Sequence, residues 1–406
     1  MSAVESTPIV DVDSHISEPP DLWTSRVPSK WTADVPRVVF SETLRVDDWV
    51  VGDRRLFSPG FLAMAGHDDY QPNVPARYSD FDPGAWKPKP RLARLDEFDI
   101  YAQVLFPNVL AFFSWPFVRM TDQKLAILCY RIYNDFAAEF ASEDRRRLIP
   151  TCVVPFWNID ESVRELRRAH ELGHRGFVFG WDFQNIGLPP LSDPHWEPLL
   201  KVAEELEMPV NLHIAAVTGT EQDTTTVGHV RNEWDSAAYA KQTALMMLGN
   251  AGAIAELVTT GIVNKYPRLK WISIESGFGY IPFLLEALDW QWHNSGVARQ
   301  HPDLALPSLA FRSNVFGSFW FERESMGLLE SYAGNMLFET DYPHPTSLSP
   351  GPASTADPAR VHVKRTLADV PDRAVQKVLF ENAAALFKIA PPEGSPSTAT
   401  MGVKQV

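Results

Sequence analysis

The sequence has few cysteines and fewer basic than acidic residues, and both features limit the classes of protein to which it can belong. Only two cysteines occur among 406 residues, Cys129 and Cys152, so neither a disulfide framework nor a cysteine-built zinc site is expected. Lysine and arginine together number 37, against 51 aspartates and glutamates, which gives a formal net charge of −14. Nucleic-acid binding favours a basic surface, so no nucleic-acid partner is expected.

Long apolar runs and several well-known enzyme motifs are also missing. No stretch approaches the roughly 18–20 apolar residues of a membrane-spanning helix. Residues 1–8 lack the basic and apolar segments of a signal peptide. A cytoplasmic protein without a membrane segment is therefore expected. The sequence has no GxGxxG after a predicted strand, no P-loop, no HExxH and no GxSxG, which argues against the enzyme classes that use those motifs.

What the sequence does have is an alternation of short apolar runs with longer amphipathic segments. This pattern is typical of a parallel sheet covered by helices. Eight units predict an α/β fold that closes into a (β/α)₈ TIM barrel, although an open doubly wound sheet has the same local pattern. The predicted strands are Pro8–Asp13, Gln103–Pro107, Leu148–Pro155, Arg175–Phe179, Pro209–His213, Leu269–Glu275, Asn314–Gly317 and Asn335–Asp341. The predicted helices are Asp122–Ser142, Ile159–Leu172, His195–Leu206, Ala240–Gly261 and Asp372–Lys388.

Two regions fall outside this alternation. Residues 24–90 are rich in proline and aromatic residues and are predicted as a long insertion after strand one, with a hairpin around Leu44–Phe57. Because the insertion begins at the rim where strand one ends, we expect it to form a lid over the pocket. Residues 1–390 are predicted as one barrel domain, and residues 391–406 as a disordered tail.

Polar side chains occur at the carboxyl ends of several predicted strands, where barrel enzymes build their active sites. Asp13 and His15 are two residues apart, so both side chains point the same way. His213 ends strand five and Asp341 ends strand eight. Each residue alone could cap a turn or form a buried hydrogen bond, but their recurrence at strand ends favours one divalent metal site. Two imidazoles and two carboxylates suit Zn²⁺, the first choice here, and Mn²⁺, and iron is a further candidate.

Three further residues are candidates near this site. Glu275 ends strand six, where burial could raise its pKa and suit it for proton transfer. The alternative is a structural carboxylate that binds backbone amides of the following turn. His344 is a candidate for catalysis or substrate binding, and Glu18 is a candidate to orient His15. A structural use of His344 and Glu18 stays open.

The motifs VDVDSHISEP, PVNLH, YPRLKWISIESGFGYIP, FETDYPH and ENAAALF together resemble the amidohydrolase-related family (amidohydrolase 2). This family includes aminocarboxymuconate-semialdehyde decarboxylase and γ-resorcylate decarboxylase. The resemblance implies a distorted TIM barrel with one metal ion, held by Asp13, His15, His213 and Asp341. The family often has a histidine where this chain has Glu275. No lysine ends strand four, so the carbamylated-lysine dinuclear site of the wider superfamily is not expected.

The resemblance implies two possible reactions on a small-molecule substrate. The first is non-oxidative decarboxylation of a small aromatic or unsaturated carboxylic acid, in which Asp341 protonates the carbon that loses CO₂. The second is hydrolysis of an amide, ester, lactone or C–C bond by metal-activated water, with Asp341 or Glu275 as general base. The acidic Asp13-x-His15 motif is similar to that of family decarboxylases and favours the first reaction.

Two expectations concern the whole chain. A metal-stabilised barrel without catalysis is a third possibility, but polar ligands at a catalytic rim have little structural purpose. Family members commonly pair, and the aromatic content of the chain provides apolar surface to bury. A homodimer or larger homo-oligomer is therefore expected.

Overall fold

The barrel strands of this chain are short and almost entirely buried, as parallel strands covered by helices are. A computed structural model describes residues 2–71, 73–216 and 236–393. In chain order, the strands within these residues are β1 (Val10–His15), β2 (Arg37–Ser41), β3 (Val46–Val51), β4 (Arg54–Arg55), β5 (Ala102–Phe106), β6 (Leu148–Pro150), β7 (Cys152–Val153), β8 (Phe177–Phe179), β9 (Val210–His213), β10 (Trp271–Ile274), β11 (Val315–Phe319) and β12 (Met336–Phe338).

Parallel pairing arranges the barrel strands in a ring. The strands pair in the orders β1–β5–β6 and β7–β8–β9–β10–β11–β12. β6 and β7 are separated only by Thr151 and form one strand position, which pairs first with β5 and then with β8. At the opposite side, the His15 amide donates to the Tyr342 carbonyl at 2.7 Å, and the Asp341 amide donates to the Asp13 carbonyl at 2.9 Å. These bonds join the end of β12 to β1, so the predicted (β/α)₈ barrel is confirmed.

Long helices between the strands pack on the outside of the ring through apolar faces, as the buried residues of the 123–141 and 159–172 helices show. Capping residues define one end of each of two long helices. Asp122 accepts from the amides at the start of the 123–141 helix at 3.1 Å, and Gly173 ends the 159–172 helix with a φ of 102°. The α-helices are α1 (Ala3–Ser6), α2 (Pro88–Phe98), α3 (Val109–Phe112), α4 (Trp115–Val118), α5 (Gln123–Ala141), α6 (Ile159–Leu172), α7 (Glu197–Glu205), α8 (Ser236–Met246), α9 (Asn250–Thr259), α10 (Ile262–Lys265), α11 (Ile281–Asn294), α12 (Val297–Gln300), α13 (Pro307–Asn314), α14 (Leu329–Tyr332), α15 (Ala359–Thr366), α16 (Asp372–Gln376) and α17 (Asn382–Phe387).

Two predicted helices are divided in the structure. The single helix predicted over Ala240–Gly261 is instead α8 and α9, because the chain turns over residues 247–249, where the Gly249 amide donates to the Met246 carbonyl at 2.8 Å. The last helix, predicted over Asp372–Lys388, consists of α16, a π-helical turn over Lys377–Glu381, and α17. Apolar periodicity continues through both interruptions, which is why the sequence did not reveal them.

The insertion forms its own small antiparallel sheet. β2 pairs with β3, and β3 pairs with β4, so the hairpin predicted around Leu44–Phe57 is present with a further strand. The amides of Met64 and Ala65 donate to the Pro343 carbonyl at 2.9 and 3.1 Å. The insertion is therefore attached to the chain just after Asp341, at the carboxyl end of the barrel. The extent of the domain stays a prediction.

Three remaining expectations concern cysteines, membrane segments and the tail. Cys129 and Cys152 are both buried free thiols, as expected. Across the part of the chain that the structure describes, no helix has the length and apolar character needed to cross a bilayer. Of the tail predicted to be disordered, residues 394–406 lie outside the described residues.

Candidate metal centre

The carboxyl ends of β1, β9 and β12 bring the four predicted ligands to one place. Asp13 and His15 belong to β1, His213 ends β9, and Asp341 follows β12. The Nε2 atom of His15 lies 3.3 Å from Asp13 Oδ1, 3.6 Å from Asp341 Oδ1 and 3.1 Å from His213 Nε2. The Nε2 atom of His213 lies 3.5 Å from Asp13 Oδ1. All four side chains are buried, so residues from three strands form one enclosed cluster.

Several oxygen atoms of this cluster have no hydrogen-bond partner. Both carboxylate oxygens of Asp13 and the Oδ1 atom of Asp341 are buried and accept no hydrogen bond from the described residues. Carboxylate oxygens in this state carry a large desolvation cost, which a bound cation removes. Asp13, His15 and His213 each offer a donor atom within 4.8 Å of the others. Imidazole nitrogens and carboxylate oxygens are donors that Zn²⁺ and Mn²⁺ accept, so these residues fit the expected metal.

The outer ring nitrogens of both histidines are held by backbone carbonyls. His15 Nδ1 lies 3.2 Å from the Pro107 oxygen, and His213 Nδ1 lies 2.8 Å from the Ile214 oxygen. Donation from Nδ1 leaves the Nε2 lone pair directed at the cluster. Burial lowers the pKa of His15 to about 4, which keeps this imidazole neutral at pH 7. Burial alone would lower the pKa of His213, but the negative charge of Asp13 raises it. A cation that binds the His213 imidazole would therefore displace the proton that this charge favours.

Glu275 follows β10 directly and faces the same cluster. One of its oxygens lies within 4.8 Å of donor atoms of Asp13 and Asp341, and its Oε2 lies 3.7 Å from His213 Nδ1. The Thr346 hydroxyl is 3.4 Å from Glu275 Oε1 and also bonds to Asp341 Oδ2. Burial, together with the charges of Asp341 and Asp13, raises the pKa of Glu275 well above its ordinary value. Thr346 therefore connects a carboxyl group that favours its neutral form to a candidate metal ligand.

The backbone at Glu275 and Asp341 is strained. Their φ angles are 56° and 58°, in the left-handed region that non-glycine residues rarely adopt. Each such residue costs about 1–3 kcal/mol, and residues of this kind concentrate at functional sites. The Glu275 amide donates to Glu339 Oε2 at 3.2 Å, which holds this turn. The turns that follow β10 and β12 thus place the carboxyl groups of Glu275 and Asp341 at the cluster at a cost in backbone conformational energy.

His344 lies against the cluster on the side of Asp341. Its Nδ1 atom is 3.0 Å from Asp341 Oδ1, and its ring stacks on His15 with 3.8 Å between centroids. Its Nε2 atom lies 2.8 Å from Asn108 Oδ1, which fixes the ring from behind. The structure places His344 beside a candidate ligand, and its part in catalysis stays a prediction.

Glu18 contacts the loop after β5 and not His15, so the interpretation of Glu18 as an orienting partner was wrong. Its Oε1 atom accepts from the amides of Asn108 and Val109, both at 2.9 Å. These amides are free to donate because they begin α3, and the first amides of a helix lack partners within it. The same loop carries the Pro107 carbonyl that holds His15. Glu18 therefore affects His15 only through this loop.

Sequence reasoning missed four supporting residues. Thr346 and Asn108 lie in loops and carry no periodic signal. Arg91 is buried in α2, where its guanidinium donates to the His15 carbonyl at 2.5 Å, yet its surroundings gave no pattern to interpret. Glu339 could have been found, because it precedes Asp341 by two residues and alternate strand residues share a face.

A cavity of about 750 Å³ opens beside the cluster. His344 and Thr346 line it next to Asp341, and residues 64–67, 70 and 71 of the insertion line another side. This volume falls within the range of roughly 300–1,000 Å³ that is usual for small-molecule sites. The insertion therefore forms part of the cavity wall, and its movement as a lid stays a prediction.

Comparisons with known proteins find relatives by sequence and by fold. The 2-amino-3-carboxymuconate-6-semialdehyde decarboxylase of Dictyostelium discoideum is 25% identical over 284 residues, which cover 68% of this chain and 72% of that protein. The crystal structure of an amidohydrolase from Mycobacterium avium subsp. paratuberculosis K-10 superposes with a TM-score of 0.71 at 20% identity, covering 94% of this chain and 99% of the other. The crystal structure of 5-carboxyvanillate decarboxylase from Novosphingobium aromaticivorans, with bound manganese, superposes with a TM-score of 0.63 at 16% identity. The superposition covers 95% of this chain and 98% of the other.

The family assignment rests on the extent of a sequence match. The sequence profile of the family described as Amidohydrolase matches residues 10–389, from the start of β1 to beyond α17. The structural superpositions show the same barrel fold independently. The chain belongs to the amidohydrolase family and is, as its motifs predicted, a metal-dependent enzyme of that superfamily.

Proposed function

We propose that this chain is a metal-dependent decarboxylase that releases CO₂ from a small aromatic or unsaturated carboxylic acid. The observation that carries the proposal is the buried cluster of Asp13, His15, His213 and Asp341, which has carboxylate oxygens that accept no hydrogen bond from the described residues. The cavity lies beside this cluster and is lined there by His344 and Thr346. Two of the similar proteins are named as decarboxylases, which favours decarboxylation over the hydrolytic alternative.

The proposed cofactor is one divalent ion held by these four residues. Manganese is preferred to the zinc ion expected from the sequence, because the similar 5-carboxyvanillate decarboxylase structure holds manganese and the donor set accepts either ion. When bound, such an ion supplies Lewis-acid chemistry and a template for substrate oxygens. Metal analysis of protein produced without added metal distinguishes the two ions.

Asp341 and Glu275 share the proton chemistry in this proposal. The bond between the substrate carbon and its carboxylate breaks, and the electron pair stays on that carbon. A proton passes from neutral Glu275 through the Thr346 hydroxyl to Asp341, and from Asp341 to the carbon that has lost CO₂. Water then returns a proton to Glu275. His344 lies beside this route, with its Nδ1 atom 3.0 Å from Asp341 Oδ1.

Product analysis tests decarboxylation against hydrolysis. A panel of hydroxybenzoic and unsaturated dicarboxylic acids is incubated with the manganese-loaded enzyme, beside a panel of amides, esters and lactones. We expect one CO₂ for each substrate molecule consumed from an acid of the first panel. In D₂O, deuterium should appear at the carbon that lost its carboxylate. Cleavage of a compound from the second panel without CO₂ release would instead support the hydrolase.

We also propose that the chain forms a homodimer or larger homo-oligomer in the cytoplasm. Phe283 and Trp290 lie seven residues apart on α11, on one face, and are 75% and 68% exposed. A second copy would remove these large apolar side chains from water. The buried free thiols of Cys129 and Cys152 fit a reducing compartment. Light scattering at micromolar concentration should give at least twice the chain mass, and the mass of one chain would contradict the proposal.

A further inference from the structure

One phenylalanine side chain packs against three histidines of the candidate metal centre. The ring centroid of Phe112 lies 5.5 Å from that of His15, 5.1 Å from that of His213 and 6.0 Å from that of His344. The interplanar angles are 40°, 63° and 54°, so the phenyl ring meets the imidazoles in the tilted and edge-on arrangements that aromatic pairs prefer. Phe112 therefore contacts two candidate metal ligands and the imidazole beside Asp341.

A second phenylalanine packs against the same two candidate ligands. The Phe106 ring, in β5, has centroid distances of 5.9 Å to His15 and 5.3 Å to His213, and it is fully buried. Among the described residues Phe112 is partly exposed, whereas all four candidate ligands are buried. A partly exposed ring that packs on buried imidazoles separates them from solvent, so Phe112 covers this part of the metal centre.

The short helix α3 holds Phe112 in this position. The Phe112 amide donates to the carbonyl of Asn108 at 3.1 Å, and the side chain of Asn108 bonds to His344 at 2.8 Å. The next ring along the chain, Phe113, stacks on Phe57 of the insertion with 4.1 Å between centroids and 8° between planes. The segment that carries Phe112 is thus fixed both to the metal centre and to the insertion.

The surroundings of the metal centre therefore differ between the Phe112 side and the cavity side. A phenyl ring has no hydrogen-bond donor or acceptor of the ordinary kind, and a bound water molecule needs two to four polar partners. The cavity, in contrast, reaches the cluster at His344 and Thr346, whose polar atoms can bond to a ligand. Exclusion of water also strengthens the electrostatic interactions inside a site.

We infer that Phe112 excludes water from the metal-binding position and so makes this site favour decarboxylation over hydrolysis. The inference rests on the proposed decarboxylase function and names a residue that selects between the two reactions. Hydrolysis needs a water molecule whose oxygen attacks a carbonyl carbon. Decarboxylation instead leaves an electron pair on a carbon that takes its proton from Asp341. An apolar cover over the ligands removes the nucleophile of the first reaction and leaves the second unaffected.

The test measures water at the site with manganese as the only probe. The full chain is loaded with Mn²⁺, and the relaxation rate of water protons is measured per bound ion, because each water molecule that exchanges at the ion adds to this relaxivity. Phe112→Ala opens a space beside polar ligands, which water fills, so we expect its relaxivity to rise roughly 2-fold or more. Phe112→Leu should stay near the wild-type value, because it keeps an apolar side chain of similar size.

Phe113→Ala is the matched control for a loosened helix. It removes the neighbouring ring, which stacks on Phe57, and should leave the relaxivity unchanged. Circular dichroism and metal analysis are carried out on the same samples. If Phe112→Ala does not fold, Phe112→Val replaces it, and its smaller side chain should still raise the relaxivity above that of Phe112→Leu.

Methyl salicylate provides a second measurement on the loaded proteins. In its hydrolysis the oxygen of water bonds to the carbonyl carbon, the bond to the methoxy group breaks, and methanol leaves with one proton of the water. We expect slow hydrolysis by the wild type and by Phe112→Leu, and roughly 10-fold faster hydrolysis by Phe112→Ala. A wild type that hydrolyses this ester as fast as Phe112→Ala would overturn the inference.

The relaxivity measurement separates this inference from the proposed function. Equal relaxivity in the wild type and Phe112→Ala, together with CO₂ release by the wild type, would overturn the inference and leave the proposed function intact. An equal rise in Phe113→Ala would also overturn it, because the effect would then come from the helix. Ester hydrolysis by the wild type without CO₂ release from any acid would overturn both.

Discussion

Two carboxyl groups in different surroundings, Asp341 and Glu275, carry the proposed proton transfer. Asp341 lies with three other candidate ligands, whereas burial and neighbouring charges raise the pKa of Glu275. We predict that Asp341→Asn removes nearly all turnover and weakens metal binding only in part, because three ligands remain. Glu275→Gln should keep the metal and the fold and lower the rate roughly 10²–10⁴-fold. Turnover and metal content are measured on the same samples, and a wild-type rate for Glu275→Gln would show that Glu275 is structural.

Glu18 provides a pH-dependent prediction away from the metal ligands. Burial raises its pKa to about 7, from an ordinary value of 4.5. The folded state therefore holds this proton more tightly than the unfolded state, and the stabilisation present below pH 4.5 is lost as the pH rises through about 7. Glu18→Gln cannot ionise and keeps an oxygen for the amides of Asn108 and Val109.

The measurement for Glu18 is urea denaturation across this pH range. Relative to the wild type, the free energy of unfolding of Glu18→Gln should increase by on the order of 3 kcal/mol between about pH 4 and pH 8. Parallel pH dependence of the two proteins would show that Glu18 ionises normally in the fold.

At the element scale, α2 supports the metal-binding end of β1 through the buried Arg91. Its guanidinium donates to the carbonyls of His15 and Gly84 at 2.5 and 2.6 Å, and to Gln103 Oε1 at 3.2 Å. Arg91→Lys removes the planar fork and leaves buried acceptors without donors, so we expect a loss of about 2–4 kcal/mol in the free energy of unfolding. Arg94→Lys, on the same helix but partly exposed and ion-paired, should cost under about 1 kcal/mol. Equal costs in urea denaturation would refute the supporting role of Arg91.

The strand ends could be predicted from the sequence, and the loops that complete the site could not. An apolar run with a polar residue at its tip identified Asp13, His213 and Asp341, because the carboxyl ends of parallel strands meet at one rim. The contact between Asn108 and His344 joins residues 236 positions apart, and no local pattern encodes it. Glu339 and Asp341 are two residues apart in the predicted strand Asn335–Asp341, whereas the observed strand ends at Phe338.

At the scale of the whole molecule, barrel closure creates the metal site. The Thr340 amide donates to Asp11 Oδ1 at 2.8 Å across 329 positions of the chain, next to the contacts that bring Asp341 to Asp13. The ligands come from the first, middle and last strands, so the site is absent from any partial barrel. Metal binding is consequently coupled to the folding of the entire chain.

In the proposed reaction, one divalent ion, held by Asp13, His15, His213 and Asp341, is required for CO₂ release. The most direct measurement is metal content by mass spectrometry together with CO₂ release, on the wild type, His15→Ala and His213→Ala, with the exposed His301→Ala as control. We expect about one ion per chain in the wild type and in the control. The two ligand variants should be folded, contain far less metal and release no CO₂. Full metal content in both His15→Ala and His213→Ala would contradict this expectation.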